Sequence, residues 1–207
     1  MAGVRLSLSL AARLSRYLQI LMQTRKAGGS SISSKTLSEF SNVNPTQIRR
    51  DLASFGRFGK RGVGYDVDYL IGEIRKILHA SDPHAVALLG WGNLGEAIAG
   101  SDSFADHGFR IAGVFDIDPA KVGQRAGELS VQHVSELRDS ALARSIIAGI
   151  LAVPSKNAPA AARSLIEADV KVIFNYSEAL LPAPPGVSIH SMSPAGELLF
   201  AMYSFLR

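Results

Sequence analysis

The chain contains no cysteine. That excludes a disulfide scaffold, a thiolate-bound zinc or iron–sulfur centre and a cysteine nucleophile. It suits a reducing compartment, and a cytoplasmic location is expected. No apolar run reaches the ~20 residues needed to span a bilayer. The first ten residues alternate Leu and Ser behind Arg5, which does not read as a secretory signal. His79, His84, His107, His133 and His190 stand apart without HxxxH spacing, so no metal centre is expected. Neither a GxSxG elbow nor a Walker A loop is present. Charged residues make up only 19% against 47% hydrophobic, a balance that excludes a disordered chain.

What is present divides into two parts. A length of 207 residues fits one or two domains at roughly 100–200 residues each. Residues 1–80 carry 13 Lys/Arg against 5 Asp/Glu, whereas residues 81–207 carry 9 against 13. A basic module joined to a mildly acidic one points to an anionic partner for the first, nucleic acid ahead of membrane.

Apolar spacing at Leu10, Leu14, Tyr17, Leu18 and Leu21 predicts a helix ending near Ala27-Gly28-Gly29. A short second helix starts at Ser33 or Ser34 and is expected to bury Leu37 and Phe40. After a turn at 41–43, Asn44 reads as an N-cap and Pro45 as the first residue of a third helix. Ile48, Leu52 and Phe55 form its buried face. The four glycines of 56–65 suit a tight ribbon or loop. A further amphipathic helix runs through Tyr69, Leu70, Ile74, Ile77 and Leu78, and Ser81-Asp82-Pro83 marks a boundary. Beyond it, apolar runs at 85–89, 111–115, 146–153 and 170–174 alternate with helical stretches such as 96–99 and 159–168. That order predicts a doubly wound parallel sheet of Rossmann type. A last strand is expected at 187–190, and Ser193-Pro194 opens a final helix.

Gly90-Trp91-Gly92-Asn93-Leu94-Gly95 follows a predicted strand and opens a predicted helix. Asp116 ends the next strand, 21 residues after Gly95. In that context the glycines permit a tight turn, close approach to a pyrophosphate and close helix–sheet packing. Asp116 is placed to accept ribose hydroxyls, and its charge opposes a 2′-phosphate, so NAD (NADH/NAD+) is the expected cofactor. Ile117, Val153 and Pro154 complete the candidate cofactor residues. Trp91, the sole tryptophan, either packs away from the ligand or touches it. About 110 residues after the boundary leave little room for the substrate domain of a dehydrogenase, so binding rather than turnover is expected.

With Ile48, Leu52 and Phe55 facing the core, Thr46, Gln47, Arg50 and Ser54 face outward, flanked by Arg49. Gln and Arg are residues that read base edges in a major groove. Lys35 in the first turn of the second helix opposes the helix dipole, a conflict that a phosphate relieves. Asn44 starts the candidate recognition helix. Arg57, Phe58, Lys60 and Arg61 on the ribbon complete the candidate DNA-binding set. The final helix, through Leu198, Leu199, Phe200, Met202, Tyr203 and Phe205, is apolar nearly all round. Burial in a second subunit is expected, and a homodimer predicts a palindromic double-stranded operator.

Gln47-Ile48-Arg49-Arg50-Asp51-Leu52, the segment Phe55–Tyr65, the Gly90–Gly95 loop and Phe115-Asp116-Ile117-Asp118-Pro119 together resemble the Rex redox-sensing repressors of bacteria. The resemblance covers nearly the whole chain. It implies a winged-helix DNA-binding domain at 1–80, a Rossmann domain at 81–190 that binds NADH or NAD+, and a C-terminal helix, 191–207, exchanged in a dimer. It implies repression that is relieved when the NADH/NAD+ ratio rises. The sequence departs from the family's usual residues at Trp91, where a small residue is usual, and at Ser101, where an aromatic is common. Gln19 stands where some members have Arg, and Ser191-Met192-Ser193 where Asn-Val-Asp is common. Two rival readings stand beside this one: a DNA-binding paralogue that answers to another nucleotide such as coenzyme A, and a small NAD-dependent oxidoreductase.

Overall fold

The computed structural model describes residues 6–56, 58–60 and 64–206, with the backbone alone at Lys60 and Ser204. They form two compact units. The first takes in the chain up to Asp82 and Asp106–Gly108; the second holds Pro83–Ala105 and the chain from Phe109 onward.

In the first unit, helix α1 (Leu8–Lys26) begins where the Ser7 hydroxyl accepts the Leu10 N–H. Its apolar stripe, Leu14, Tyr17, Leu18 and Leu21, is buried. A two-residue strand β1 (Ser31–Ile32) leads to α2 (Ser34–Ser41), whose N-cap Ser33 accepts the Thr36 N–H at 3.0 Å. Helix α3 (Pro45–Ala53) follows, with Asn44 Oδ1 accepting from Thr46 N–H at 2.8 Å and Pro45 leading. Strands β2 (Gly59–Lys60) and β3 (Gly64–Asp66) form the ribbon, and α4 (Val67–Ile77) closes the unit. The small antiparallel sheet has the order β1-β3-β2. Helices packed around one core, with an antiparallel ribbon after α3, make a winged helix. That core joins Leu14, Tyr17 and Leu21 to Leu37, Ile48, Leu52, Leu70 and Ile74.

Three expectations need correction here. Phe40 is 67% exposed, because the buried row of α2 runs through Leu37 and Ser41 and Phe40 falls beside it. Tyr69 is likewise exposed, since α4 buries Val67, Leu70, Ile71 and Ile74 instead. Phe55 lies beyond the end of α3 and is only half-buried.

The second unit contains β4 (His84–Leu89), α5 (Asn93–Ala99), α6 (Ser103–Asp106), β5 (Phe109–Asp116), β6 (Arg125–Ala126), β7 (Leu129–His133), α7 (Leu137–Arg144), β8 (Ala148–Leu151), α8 (Ala158–Glu167), β9 (Val172–Asn175), β10 (Ser188–Ser191) and α9 (Pro194–Leu206). The last residue of α6 groups with the first unit. The sheet order is β10-β9-β8-β4-β5-β7-β6, and every pair is parallel except the antiparallel edge β6·β7. Counted from β4 without β6, this is the doubly wound order 3-2-1-4-5-6 of dinucleotide-binding sheets. Strand β4 beyond His84 and the last five residues of β5 are buried, as their continuous apolar runs require. The sequence pattern does not predict β6, β7, α6 and α7. Leu129–His133 offers only two apolar residues, Leu129 and Val131, and α7 buries only Leu137, Ser140 and Ala141, so neither run is long enough to mark an element.

Candidate functional site

Strand order reverses between β4 and β8, and the chain leaves both strands at their carboxyl ends there. A cleft of about 840 Å³ opens at this point, where ligands of open α/β sheets bind. Gly90, Trp91, Gly92, Asn93, Leu94, Asp116, Ile117, Val153 and Pro154 line it, so all the predicted cofactor residues except Gly95 come to one wall or mouth. Gly95 sits behind the loop. A β-carbon on it would lie 2.0 Å from the Gly90 carbonyl oxygen, so the loop and α5 touch as only glycine allows. Gly90 has φ +102, and a β-carbon there would meet the Ala152 carbonyl at 2.4 Å. At Gly92 a β-carbon would meet no protein atom within 4 Å, so the backbone is bare toward the cleft.

Asp116 does more than was expected of it. The carboxylate is 8% exposed. Its Oδ2 accepts the Trp91 N–H at 2.7 Å and the Lys121 ammonium at 3.3 Å, and its Oδ1 accepts the Asp118 N–H at 2.9 Å. Burial by itself pushes the carboxyl up, but the two N–H groups and Lys121 outweigh it and hold the group below the ordinary carboxylate value. Asp116 therefore braces the glycine loop as well as facing the cleft. Asp118 caps the following turn, accepting the Ala120 N–H at 2.9 Å. Trp91 is 8% exposed and packs with Val86, Leu88, Ile98 and Val114 while bordering the cleft. Sequence reasoning missed Lys121, Val134, Lys156, Asn157, Ala160, Ala161 and Ser164, which also line the cleft. Lys121 had a signal, five residues after Asp116; the α8 residues had none until the strand order was known.

The first unit presents a second candidate surface. Lys35, Asn44, Thr46, Arg49, Arg50 and Ser54 are exposed on α2, α3 and their flanks. Arg49 is pinned across the helix pair, donating to Ser34 Oγ at 3.0 Å and Thr46 Oγ1 at 3.2 Å. Ser54 Oγ donates to the Asp51 carbonyl at 2.6 Å. Gln47 is a correction: it is half-buried, and its Nε2 donates to Asp51 Oδ1 at 2.7 Å, so its amide is taken. Phe58 is another, its half-buried ring packing against the core and lying 6.0 Å from that of Tyr69. Arg57, Arg61 and the side chain of Lys60 lie outside the described residues.

Beneath this surface lies a buried polar cluster that sequence reasoning did not find. Asp51, on α3, is 4% exposed. Arg13, on α1, grips both its oxygens at 2.7 and 2.8 Å, and the buried Tyr17 hydroxyl donates to Oδ2 at 2.9 Å. Burial opposes the charge on Asp51, but these three donors, Gln47 included, hold its carboxyl below the ordinary value. The same burial and the adjacent carboxylate push the Tyr17 hydroxyl well above its ordinary value.

Among the described residues no group of three His, Asp or Glu is placed to hold a metal. Among them, too, no helix is long and apolar enough to cross a membrane.

Residues 81–179 match the family model described as a CoA binding domain, and residues 5–53 match a putative DNA-binding protein N-terminus. The redox-sensing transcriptional repressor Rex of Rubrobacter xylanophilus is 41% identical over 194 residues, 94% of this chain and 90% of that protein. The Rex of Solidesulfovibrio magneticus is 42% identical over 86% of this chain and 80% of its own length. Among solved structures, RSP in complex with NAD+ and operator DNA superposes with a TM-score of 0.81 at 35% identity, covering 98% of this chain and 93% of that one. RSP with NADH gives a TM-score of 0.81 at 33% identity, covering 98% and 95%.

Proposed function

The chain belongs to the Rex family of redox-sensing transcriptional repressors, and from that premise we propose how its two units share the work. The protein is a DNA-binding repressor rather than an enzyme, and it senses NADH against NAD+. The observation that carries the reading is the braced glycine loop at the sheet's switch point, in a chain that also presents a helix–turn–helix. Gly90–Gly95, Asp116, Ile117, Val153 and Pro154 hold the dinucleotide, with its pyrophosphate on the loop and the start of α5.

Helix α3 lies in a major groove, with Arg50 reading bases while Lys35 and the pinned Arg49 contact phosphates. Gln47 and Phe58 support that surface from behind. Such a repressor works where its operator is, in the cytoplasm. NADH acts by binding the operator-free state more tightly. By linkage, the operator weakens NADH binding by the same factor as NADH weakens operator binding.

Palindromic sites selected from a random duplex pool provide the test, read by fluorescence anisotropy. NADH is expected to release the protein, NAD+ to leave it bound, and coenzyme A to displace neither nucleotide in calorimetric competition. Arg50→Ala is expected to cost about 1–3 kcal/mol of specific binding, roughly 5–150-fold. Operator affinity indifferent to NADH overturns the reading. Unchanged affinity and sequence preference in Arg50→Ala overturns that assignment.

Helix α9 supports the dimer. Leu199, Phe200, Tyr203, Phe205 and Leu206 are each at least 63% exposed within one protomer, an apolar surface that calls for a cover. A second copy of the chain supplies it by exchange of this helix. Sedimentation equilibrium at micromolar concentration is expected to give the mass of two chains, and Leu199→Glu with Phe205→Glu a single one. A wild-type monomer overturns the proposal.

A further inference from the structure

We propose that Lys121 is the positioning residue of the nucleotide cleft, holding the Asp116 carboxylate in place for the ribose hydroxyls of the dinucleotide. The inference rests on the reading of the cleft as an NADH site. Asp116 is all but buried, a setting in which a carboxylate keeps its charge only if donors surround it. Two of those donors are backbone N–H groups, from Trp91 and Asp118, and they carry no full charge. Among the described residues the one ion pair to Asp116 is from Lys121, 3.3 Å from Oδ2.

The backbone of Lys121 is held at both ends. Its N–H donates to the Asp118 carbonyl at 3.0 Å, and its own carbonyl accepts the Gln124 N–H at 3.0 Å, so the turn that Asp116 and Asp118 start also sets the reach of the lysine. The side chain is 35% exposed and lines the cleft, so one face pairs with Asp116 while N–H groups remain for the cleft. Lysine, loop and carboxylate thus form one closed arrangement: Lys121 to Asp116, Asp116 to the Trp91 N–H, and Trp91 to the two glycines beside it.

Among the described residues, the other ionisable groups to weigh are Asp118 on the same turn, Lys156 on the cleft lining after β8, and His133 on β7, the register partner of Asp116, with Glu136 accepting the His133 N–H. Wild type and variant share all of them, so their contributions cancel in a comparison. Removing Lys121 leaves burial opposed by two N–H groups alone. The carboxyl then rises, and the ribose loses its charged acceptor at a higher pH than in wild type.

The test is a calorimetric NADH titration of the full chain between pH 5 and pH 8, for wild type, Lys121→Met and Lys121→Arg, with thermal unfolding as the check on folding. Lys121→Met is expected to raise the NADH Kd about ten-fold at pH 8. On acidification its affinity should fall more steeply than that of wild type, and Lys121→Arg should restore both magnitude and profile. A Lys121→Met affinity equal to wild type, or one weakened by the same factor at every pH, overturns the inference. The second of these outcomes would make Lys121 a plain ligand contact. Should Lys121→Met not fold, Lys121→Gln takes its place under the same criteria. Wild-type protein that binds no NADH fails the reading of the cleft itself, a result distinct from either of these.

Discussion

Gly95→Ala is expected to abolish the response to NADH while leaving the repressor on its operator. The added methyl would meet the Gly90 carbonyl oxygen at 2.0 Å, well inside contact distance, and that neighbour is backbone. Either α5 backs away from the loop or the loop flattens. Both displace the N–H groups that the pyrophosphate needs. Hydrogen bonds to a charged group are worth about 1.5–3 kcal/mol each, so losing two costs about 3–6 kcal/mol, a hundred-fold or more in Kd. Overpacking also costs about 1–3 kcal/mol of stability in the second unit. Gly92→Ala is the control that separates the two effects. Its methyl meets no protein atom within 4 Å, so the apo protein should melt as wild type does while NADH binding weakens, because the methyl adds bulk to a residue that lines the cleft. Calorimetry and thermal unfolding of both variants check the pair. Wild-type NADH affinity in Gly95→Ala would mean that the dinucleotide does not rest on this loop.

Asp51→Ala is expected to cost about 3–5 kcal/mol, the usual consequence of removing one partner from a buried ion pair. It leaves the Arg13 guanidinium, the buried Tyr17 hydroxyl and the Gln47 amide without their shared acceptor. For a unit of about 80 residues that amounts to roughly 15 °C or more in its transition. DNA binding should fail with it, since the cluster ties α3 to α1. The pH dependence follows from the same carboxylate. Its folded value lies below the unfolded one of about 3.9. The stabilisation is therefore complete above that unfolded value and is lost as pH falls through the folded one. Urea denaturation at pH 7 and at pH 3 should show a smaller difference for Asp51→Asn than for wild type. Equal differences would mean that the cluster does not keep its charge in solution.

Much of this architecture was legible in the residues. Continuous apolar runs predict buried parallel strands because both faces are covered, and β4 and β5 are such strands. The caps at Ser33, Asn44 and Pro45 mark helix starts that local chemistry fixes. The cleft followed from glycines that a tight turn and close packing demand. Less legible was anything that depends on which neighbour a polar group finds. Gln47 has the spacing of an outward base reader, but Asp51 lies one turn along and claims its amide. Asp51 in turn needs Arg13, 38 residues away, and no local period reports that pairing. Asp116 was correctly placed at a strand end, yet its hold on the Trp91 N–H depends on how the loop folds back. Strand β7, next to the sheet's edge, carries only Leu129 and Val131 as apolar residues, too short an alternation to stand out from a loop.

The position of Trp91 has an optical consequence. It is the sole indole of the chain and belongs to the second unit, whereas Tyr17, Tyr65 and Tyr69 belong to the first. Indole emission during denaturation therefore reports the melting of the nucleotide-binding unit and is blind to the winged helix. Circular dichroism sees both. Coincidence of the two curves would mean that the units unfold as one cooperative block, and separation would give each its own free energy. With separate transitions, Asp51→Ala would move the dichroism transition of the first unit and leave the indole transition in place.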